Sequence, residues 1–123
     1  IGMTAHTLNR EVRYFSAPVS NDDTTFDAVE DQAPFTPVSV RRALQQLDYL
    51  RQVLACEMIV SAQALDMRPP ERMAPVAAAL RDLVRSVVAP LDDDRSMTED
   101  IEKLSDLVRE GTALAAIRRA LPE

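Results

Sequence analysis

The stretch Val38-Ser39-Val40-Arg41-Arg42-Ala43-Leu44-Gln45-Gln46-Leu47-Asp48-Tyr49-Leu50-Arg51-Gln52-Val53-Leu54-Ala55-Cys56-Glu57-Met58-Ile59-Val60-Ser61-Ala62-Gln63-Ala64-Leu65-Asp66-Met67 contains neither glycine nor proline. Val40, Leu44, Leu47, Leu54, Met58 and Leu65 recur at a 4-3 spacing broken at Arg51 and Ser61, which puts them on one face of a helix. Thr36 suits the amino cap and Pro37 the first helical position. Pro69-Pro70 ends the run, and Arg68 suits a carboxyl end. The spacing predicts a helix over 37–67. Its second half, from Val53 to Leu65, leaves only Glu57, Ser61 and Gln63 polar. A helix apolar nearly all round is surrounded by protein.

Length sharpens this expectation. Thirty helical residues span roughly 45 Å. A compact domain of 123 residues has a radius of gyration near ~14 Å, hence a diameter of roughly 35 Å. The helix should overshoot the globule that its own chain can form, so its buried half needs other polypeptide around it. The chain is expected to be a piece of something larger, an oligomer, or both. Its start, Ile1-Gly2-Met3, with no secretory pattern behind it, points the same way.

Outward from this element the chain reads as helical throughout. Thr4 to Phe15 forms a helix about 4–15, capped by Thr4, with Leu8, Val12 and Phe15 on one face and Pro18 after it. Residues 16–36 read as a long loop: Pro18, Asn21, Asp22, Asp23, Asp27, Glu30, Asp31 and Pro34 are held by only Phe26, Val29 and Phe35. A loop that long inside a compact domain is functional or disordered. A helix about 75–88 carries Val76, Leu80, Leu83, Val84, Val87 and Val88. The turn Leu91-Asp92-Asp93-Asp94-Arg95 follows Pro90. Thr98 caps a helix about 98–110, with Glu99, Asp100 and Glu102 near its start, where the macrodipole favours anions. Gly111 terminates it, and a short helix about 112–120 closes the chain. No strand pattern competes. The expected fold is all-α, a single segment of long antiparallel helices over 1–123.

Composition excludes several functions. A net charge of −6 argues against nucleic acid as the partner. No apolar run approaches the ~20 residues of a membrane span. One cysteine and one histidine rule out multi-cysteine and His-rich metal sites, and two glycines cannot build a phosphate loop. Lys103 is the only lysine, so basic side chains are almost all arginine, which suits paired, partly buried contacts. These features read as soluble, helical and intracellular.

Few residues carry possible chemistry. Glu30-Asp31 could act as acid/base or clamp an ammonium, or be a solvated loop pair. Asp92-Asp93-Asp94 could ligate a divalent cation, but lacks EF-hand spacing and reads better as a turn paired with Arg95. Cys56, amid apolar neighbours, reads as inert. His6 reads as a surface or interface residue. Ser20 and Ser39 have no recognisable base.

Glu57-Met58-Ile59-Val60-Ser61-Ala62-Gln63-Ala64-Leu65-Asp66-Met67-Arg68 resembles the "Glu-Leu-Leu-x-Ala-Ala-Gln-Ala-Leu-Asp-x-Arg" helix of the aromatic amino acid ammonia-lyases and aminomutases. Other stretches are similar to that family's motifs in the same order. Thr4-Ala5 through Leu8 to Glu11 resembles "Thr-Ala-x-x-Leu-x-x-Glu". Pro18-Val19-Ser20 resembles "Pro-x-Ser", and Glu30-Asp31 resembles the "Gln-Glu-Asp-His" loop. Leu91-Asp92-Asp93-Asp94-Arg95 with Asp100-Ile101-Glu102 resembles the closing "Leu-Asp-x-Asp-Arg" segment.

The resemblance implies the carboxyl-terminal part of a cytoplasmic carbon–nitrogen lyase or aminomutase. Such an enzyme releases ammonia from histidine, phenylalanine or tyrosine to leave an aryl acrylate. It implies Glu30 as the catalytic and substrate-contacting carboxylate, with Asp31 and Gln32 as substrate-binding neighbours. The electrophilic methylidene-imidazolone cofactor comes from an Ala-Ser-Gly triad that this chain lacks, so it is expected elsewhere in the parent chain, and this piece alone is expected to be inactive. Implied partners are the remainder of that chain, further copies in a homotetramer, and a small aromatic amino acid, with neither nucleic acid nor membrane. Val29 stands where histidine lyases usually carry Gln, and Gln32 where they often carry His, which weakens the histidine-specific reading. The rival from another class is a stand-alone helical oligomerisation module without catalysis.

Overall fold

The computed structural model describes residues 1–19, 36–68 and 73–121, and the backbone of 25–26 and 30–31. Among the described residues there are five helices: α1 (Gly2–Phe15), α2 (Thr36–Asp66), α3 (Pro75–Arg85), α4 (Thr98–Arg109) and α5 (Thr112–Ala120). A minimal antiparallel ladder, β1 (Thr25–Phe26) with β2 (Glu30–Asp31), interrupts the connection between α1 and α2. The fold is all-helical in substance, and the ladder is an element that the sequence reading lacks. Strands of two residues are too short to display a period-2 pattern. The predicted loop anchors Val29 and Phe35 and the helix stop Pro69-Pro70 lie outside the described residues, as do Ser20 and Gln32.

α2 is the axis on which α1, α3 and α4 pack, and α5 lies against α3 and α4. α1 runs antiparallel to α2. Gln46 Nε2 donates to the Val12 carbonyl at 2.9 Å, and Arg42 Nη1 to the Ala17 carbonyl at 3.1 Å. Phe15 stacks on Tyr49 with centroids 5.9 Å apart. At the other end, Ala5 packs against the cluster that contains Cys56.

The core is one cluster of Ala55, Cys56, Ile59, Ala62, Val84, Val88, Ile101 and Leu104. Four of these residues lie within eight positions of α2, so the second half of that helix is wrapped largely by α1, α3 and α4. This corrects the expectation that the second half is the part needing other polypeptide. The bare apolar surface lies mainly in the first half. Val40 is 53% exposed, Leu44 59%, Leu47 47% and Leu50 46%, against Leu54 and Val60 in the second half. The side of the first half that faces α1 is instead Arg42, Gln46 and Tyr49, all half-buried, spaced i, i+4, i+7 and continued by Val53 and Cys56. The apolar stripe thus points away from the chain's own body while a polar face points into it.

Four helix ends differ from expectation; at one of them Thr36 is the first residue of α2 and not its cap. α1 begins at Gly2, because the Ile1 carbonyl already accepts from the Ala5 amide at 3.0 Å; Thr4 is inside the helix and does not cap it. Thr98 does not cap α4 either. Met97 is the cap residue, without a side-chain bond, and Thr98 Oγ1 lies 3.4 Å from Ser96 Oγ. α3 stops as a regular helix at Arg85. Residues 86–88 continue as a tightened turn, with the Val87 amide bonded to the Val84 carbonyl at 3.1 Å. Arg85 Nη1 donates to the carbonyls of Val88 and Ala89 at 3.2 and 3.3 Å. Those late carbonyls are therefore satisfied by a guanidinium.

Gly111 adopts φ +80° between α4 and α5, and an added Cβ would meet no atom within 4 Å. The cost of a side chain there is conformational, not steric. Gly111→Ala is expected to destabilise the fold by about 1–2 kcal/mol, the penalty of a left-handed non-glycine residue, read as a fall in the denaturation midpoint at unchanged m-value.

Candidate functional site

The sequence-predicted carboxylates sit in the ladder. Glu30 is paired with Phe26 and Asp31 with Thr25. The connection that carries them leaves α1 at the point where α2 grips it. At the carboxyl end of α1, the last carbonyls lack partners further along the helix. Ser16 supplies its amide and hydroxyl to the Arg13 carbonyl, at 3.2 and 2.6 Å. Gln46 serves Val12, and Arg42 serves Ala17. An arginine at a helix carboxyl end also complements the helix dipole. In chain order, Glu30 and Asp31 fall between this pinned end of α1 and the start of α2 at Thr36.

A second polar group lies at the far end of α2, where α3 and the turn after it meet. Asp66 Oδ1 accepts from Arg81 Nε at 2.6 Å, and Oδ2 from Arg85 Nε at 2.7 Å. Arg85 Nη2 donates to Gln63 Oε1 at 2.9 Å. The same Gln63 oxygen accepts from the Leu91 amide at 3.0 Å, while its Nε2 donates to the Leu91 carbonyl at 3.3 Å. Gln63 thus clasps one backbone residue through both amide groups. Burial pushes the Asp66 carboxyl up, but hydrogen bonds from Arg81 and Arg85 and their charges outweigh it, holding it below the ordinary carboxylate value. Both carboxylate oxygens are occupied, so Asp66 is a clamp, not a free base. Sequence reasoning missed this group. Its signal is Gln63 and Asp66 at i, i+3 on one helix, facing Arg81 and Arg85 at i, i+4 on the next.

The other candidates do not assemble into a site. Cys56 is buried and burial pushes its thiol up, which suits an inert core residue. His6 and Ser39 are exposed on different helices. Arg95 pairs with the buried Asp100 of α4, not with the Asp92-Asp93-Asp94 triplet as expected. The triplet is exposed, and Asp100 is the carboxylate whose burial calls for a partner. Among the described residues, no group of three His, Cys, Asp or Glu could hold a metal ion, and no helix is long and apolar enough to cross a membrane. An open apolar groove of about 350 Å³ runs between α2 and α3, lined by Leu54, Met58, Leu65, Leu80 and Val84.

A lowered Asp66 pKa makes a signed prediction. The folded state holds the proton less tightly than the unfolded chain, so the clamp's stabilisation is full above the ordinary Asp pKa. It is lost as pH falls through the lowered folded value. Asp66→Asn should lower the denaturation midpoint at neutral pH and flatten the acid-side decline; equal slopes for variant and parent would contradict the clamp.

The aromatic amino acid lyase family model matches residues 1–86, which span α1, the ladder, α2 and α3. The chain is 38% identical over 115 residues to the histidine ammonia-lyase of Symbiobacterium thermophilum, covering 93% of this chain and 23% of that protein. It is 40% identical over 119 residues to the histidine ammonia-lyase of Myxococcus xanthus, covering 96% and 23%. The crystal structure of histidine ammonia-lyase from Trypanosoma cruzi superposes with a TM-score of 0.86 at 28% identity, over 98% of this chain and 24% of that one. The chain therefore spans about a quarter of the length of the curated relatives that it matches. On the collinear match of its helices and motifs, the chain belongs to the aromatic amino acid lyase family.

Proposed function

We propose that the protein carrying this chain eliminates ammonia from an aromatic amino acid, leaving an aryl acrylate, and that Glu30 is the residue of this segment that meets the substrate. The observation that supports the proposal is the placement of Glu30-Asp31, inside the span matched by the lyase family and on a ladder between the anchored end of α1 and the start of α2. Glu30 faces the substrate ammonium in this reading. A carboxylate beside an ammonium favours its charged form, and on desolvation it can accept the ammonium proton. Asp31 and Gln32 are its binding neighbours.

The family's methylidene-imidazolone, when present, supplies an electrophile. No Ala-Ser-Gly stretch occurs in these 123 residues, so this chain does not furnish the group and no residue here is assigned to hold it. Other polypeptide, in the same chain and in further copies forming a homotetramer, covers the apolar stripe of α2; this reading draws on the exposure of Val40, Leu44, Leu47 and Leu54. The proposed compartment is the cytoplasm. A helical module without catalysis is the weaker reading, since relatives matched over nearly the whole chain are named as ammonia-lyases. Those relatives act on histidine by name, so histidine is the first substrate to assay, beside phenylalanine and tyrosine.

The test uses the complete protein. Glu30→Gln should lower turnover, followed as the absorbance of the conjugated acrylate product, by about a hundredfold, while the thermal midpoint stays put. Parent-like kinetics would remove Glu30 from the site.

A further inference from the structure

Residues 89–97 join α3 to α4 outside any helix or strand. At the start of this connection the backbone takes its partners from side chains. Arg85 Nη1 donates to the carbonyls of Val88 and Ala89, at 3.2 and 3.3 Å. Arg95 Nη2 donates to the same Ala89 carbonyl, also at 3.3 Å. Pro90 has no amide to offer. At Leu91, Gln63 takes both the amide and the carbonyl. Ala89 and Leu91 are therefore gripped from α2, from the end of α3 and from within the connection itself.

The two arginines arrive with separate counter-charges. Arg85 is set by Asp66 of α2, and its Nη2 also donates to Gln63 Oε1. Arg95 is set by Asp100, buried in the first turn of α4, and donates to the Ser96 carbonyl at 3.4 Å. A carbonyl oxygen has two lone pairs, so Ala89 can seat both donors. Two cations on one oxygen repel each other, and each is tolerated there because its own carboxylate offsets the charge. A continuous run of bonds thus leads from Asp66 through Arg85, the Ala89 carbonyl and Arg95 to Asp100. It ties α2 to α4 by a route separate from the apolar core.

We propose that residues 89–91 form a latch with two bolts. Arg85 and Arg95 close together on the Ala89 carbonyl, and withdrawing either one loosens the other and frees the Gln63–Leu91 clasp, so the turn opens as one unit. The cause is shared geometry: each arginine fixes the carbonyl that its counterpart uses. Pro90 transmits the effect. It restricts Ala89 to extended backbone and has a fixed φ of its own, so a displaced Ala89 carbonyl carries Leu91 with it. Ala89 and Leu91 are exposed, which places this opening at the low-energy end of local unfolding. The latch does not depend on the assignment of Glu30.

Single-residue amide hydrogen exchange in the complete protein tests the latch, with the Leu91 amide as reporter. Gln63→Ala removes the acceptor of that amide and sets the rate of the open turn. Arg95→Lys keeps a cation for Asp100 but lacks the planar fork that spans Asp100 and Ala89. The hydrogen bonds of Arg95 go to neither Gln63 nor Leu91, yet Arg95→Lys should accelerate Leu91 exchange about tenfold at an unchanged thermal midpoint. Asp100→Asn should act in the same direction. Coupling is reciprocal, so Arg85→Lys should accelerate exchange of the Ile101 amide, which is bonded to the Met97 carbonyl at 2.9 Å. Arg81→Ala is the control: Arg81 binds Asp66 but not the turn, so its loss should lower the midpoint and leave Leu91 at the parent rate. Parent-rate exchange of Leu91 in Arg95→Lys and Asp100→Asn overturns the proposal and leaves Arg95 a local tie to α4. Equal acceleration in Arg81→Ala overturns it as well, because general loosening of α3 would then account for the effect. So does parent-rate exchange of Ile101 in Arg85→Lys, or of Leu91 in Gln63→Ala.

Discussion

The arrangement of this chain turns on how the faces of α2 are allotted. Its first half turns Arg42, Gln46 and Tyr49 toward α1 and leaves Val40, Leu44, Leu47 and Leu50 about half exposed. Fully burying one such side chain contributes roughly 1.5–3 kcal/mol. Four residues at half exposure leave several kcal/mol of stabilisation unrealised within the chain. The polar face has obligations that an apolar face could not meet. The carboxyl end of α1 presents carbonyls that need donors, and Arg42 and Gln46 are the donors supplied. α2 thus serves its own chain with hydrogen bonds at one end and offers its apolar stripe outward.

The second half of α2 works differently. Ala55, Cys56, Ile59 and Ala62 are small or compact and fully covered, so α1, α3 and α4 can approach closely. At its carboxyl end, Gln63 and Asp66 tie down α3 and the backbone at Leu91. The two ends of one helix therefore carry two polar anchoring systems. One holds the carboxyl end of α1, and the other holds α3 and the turn at Leu91.

Much of this was legible in the sequence, for identifiable reasons. Periodic apolar positions, prolines after Ala17 and Ala89, and Gly111 mark the five helices to within a few residues. The exceptions lie where local bonding decides the boundary, as at Thr4, Thr98 and the end of α3. A side chain that can cap need not do so when a backbone carbonyl one or more residues earlier is already helical. Which side of α2 the chain keeps for itself was not legible. Amphipathicity assigns the apolar stripe to the nearest core, and that rule fails here, where the apolar side of the first half stays exposed beside the chain's own helices. The ladder escaped because two residues per strand show no alternation. The Asp66 clamp escaped because its partners lie fifteen and nineteen positions away. For the candidate site, the sequence marked Glu30 and Asp31 through resemblance, whereas the grip of Arg42 on Ala17 needed three-dimensional coordinates.

The claim at the centre is that the stripe through Leu44 and Leu47 is covered in the working protein. Thiol modification tests it most directly, with Leu44→Cys and Leu47→Cys in the complete protein and Asp93→Cys in the exposed turn as the reference. Covered positions should react far more slowly than the turn, and should approach its rate when the 123 residues are produced alone. Modification of Leu44→Cys at the rate of the turn in the complete protein would contradict the claim.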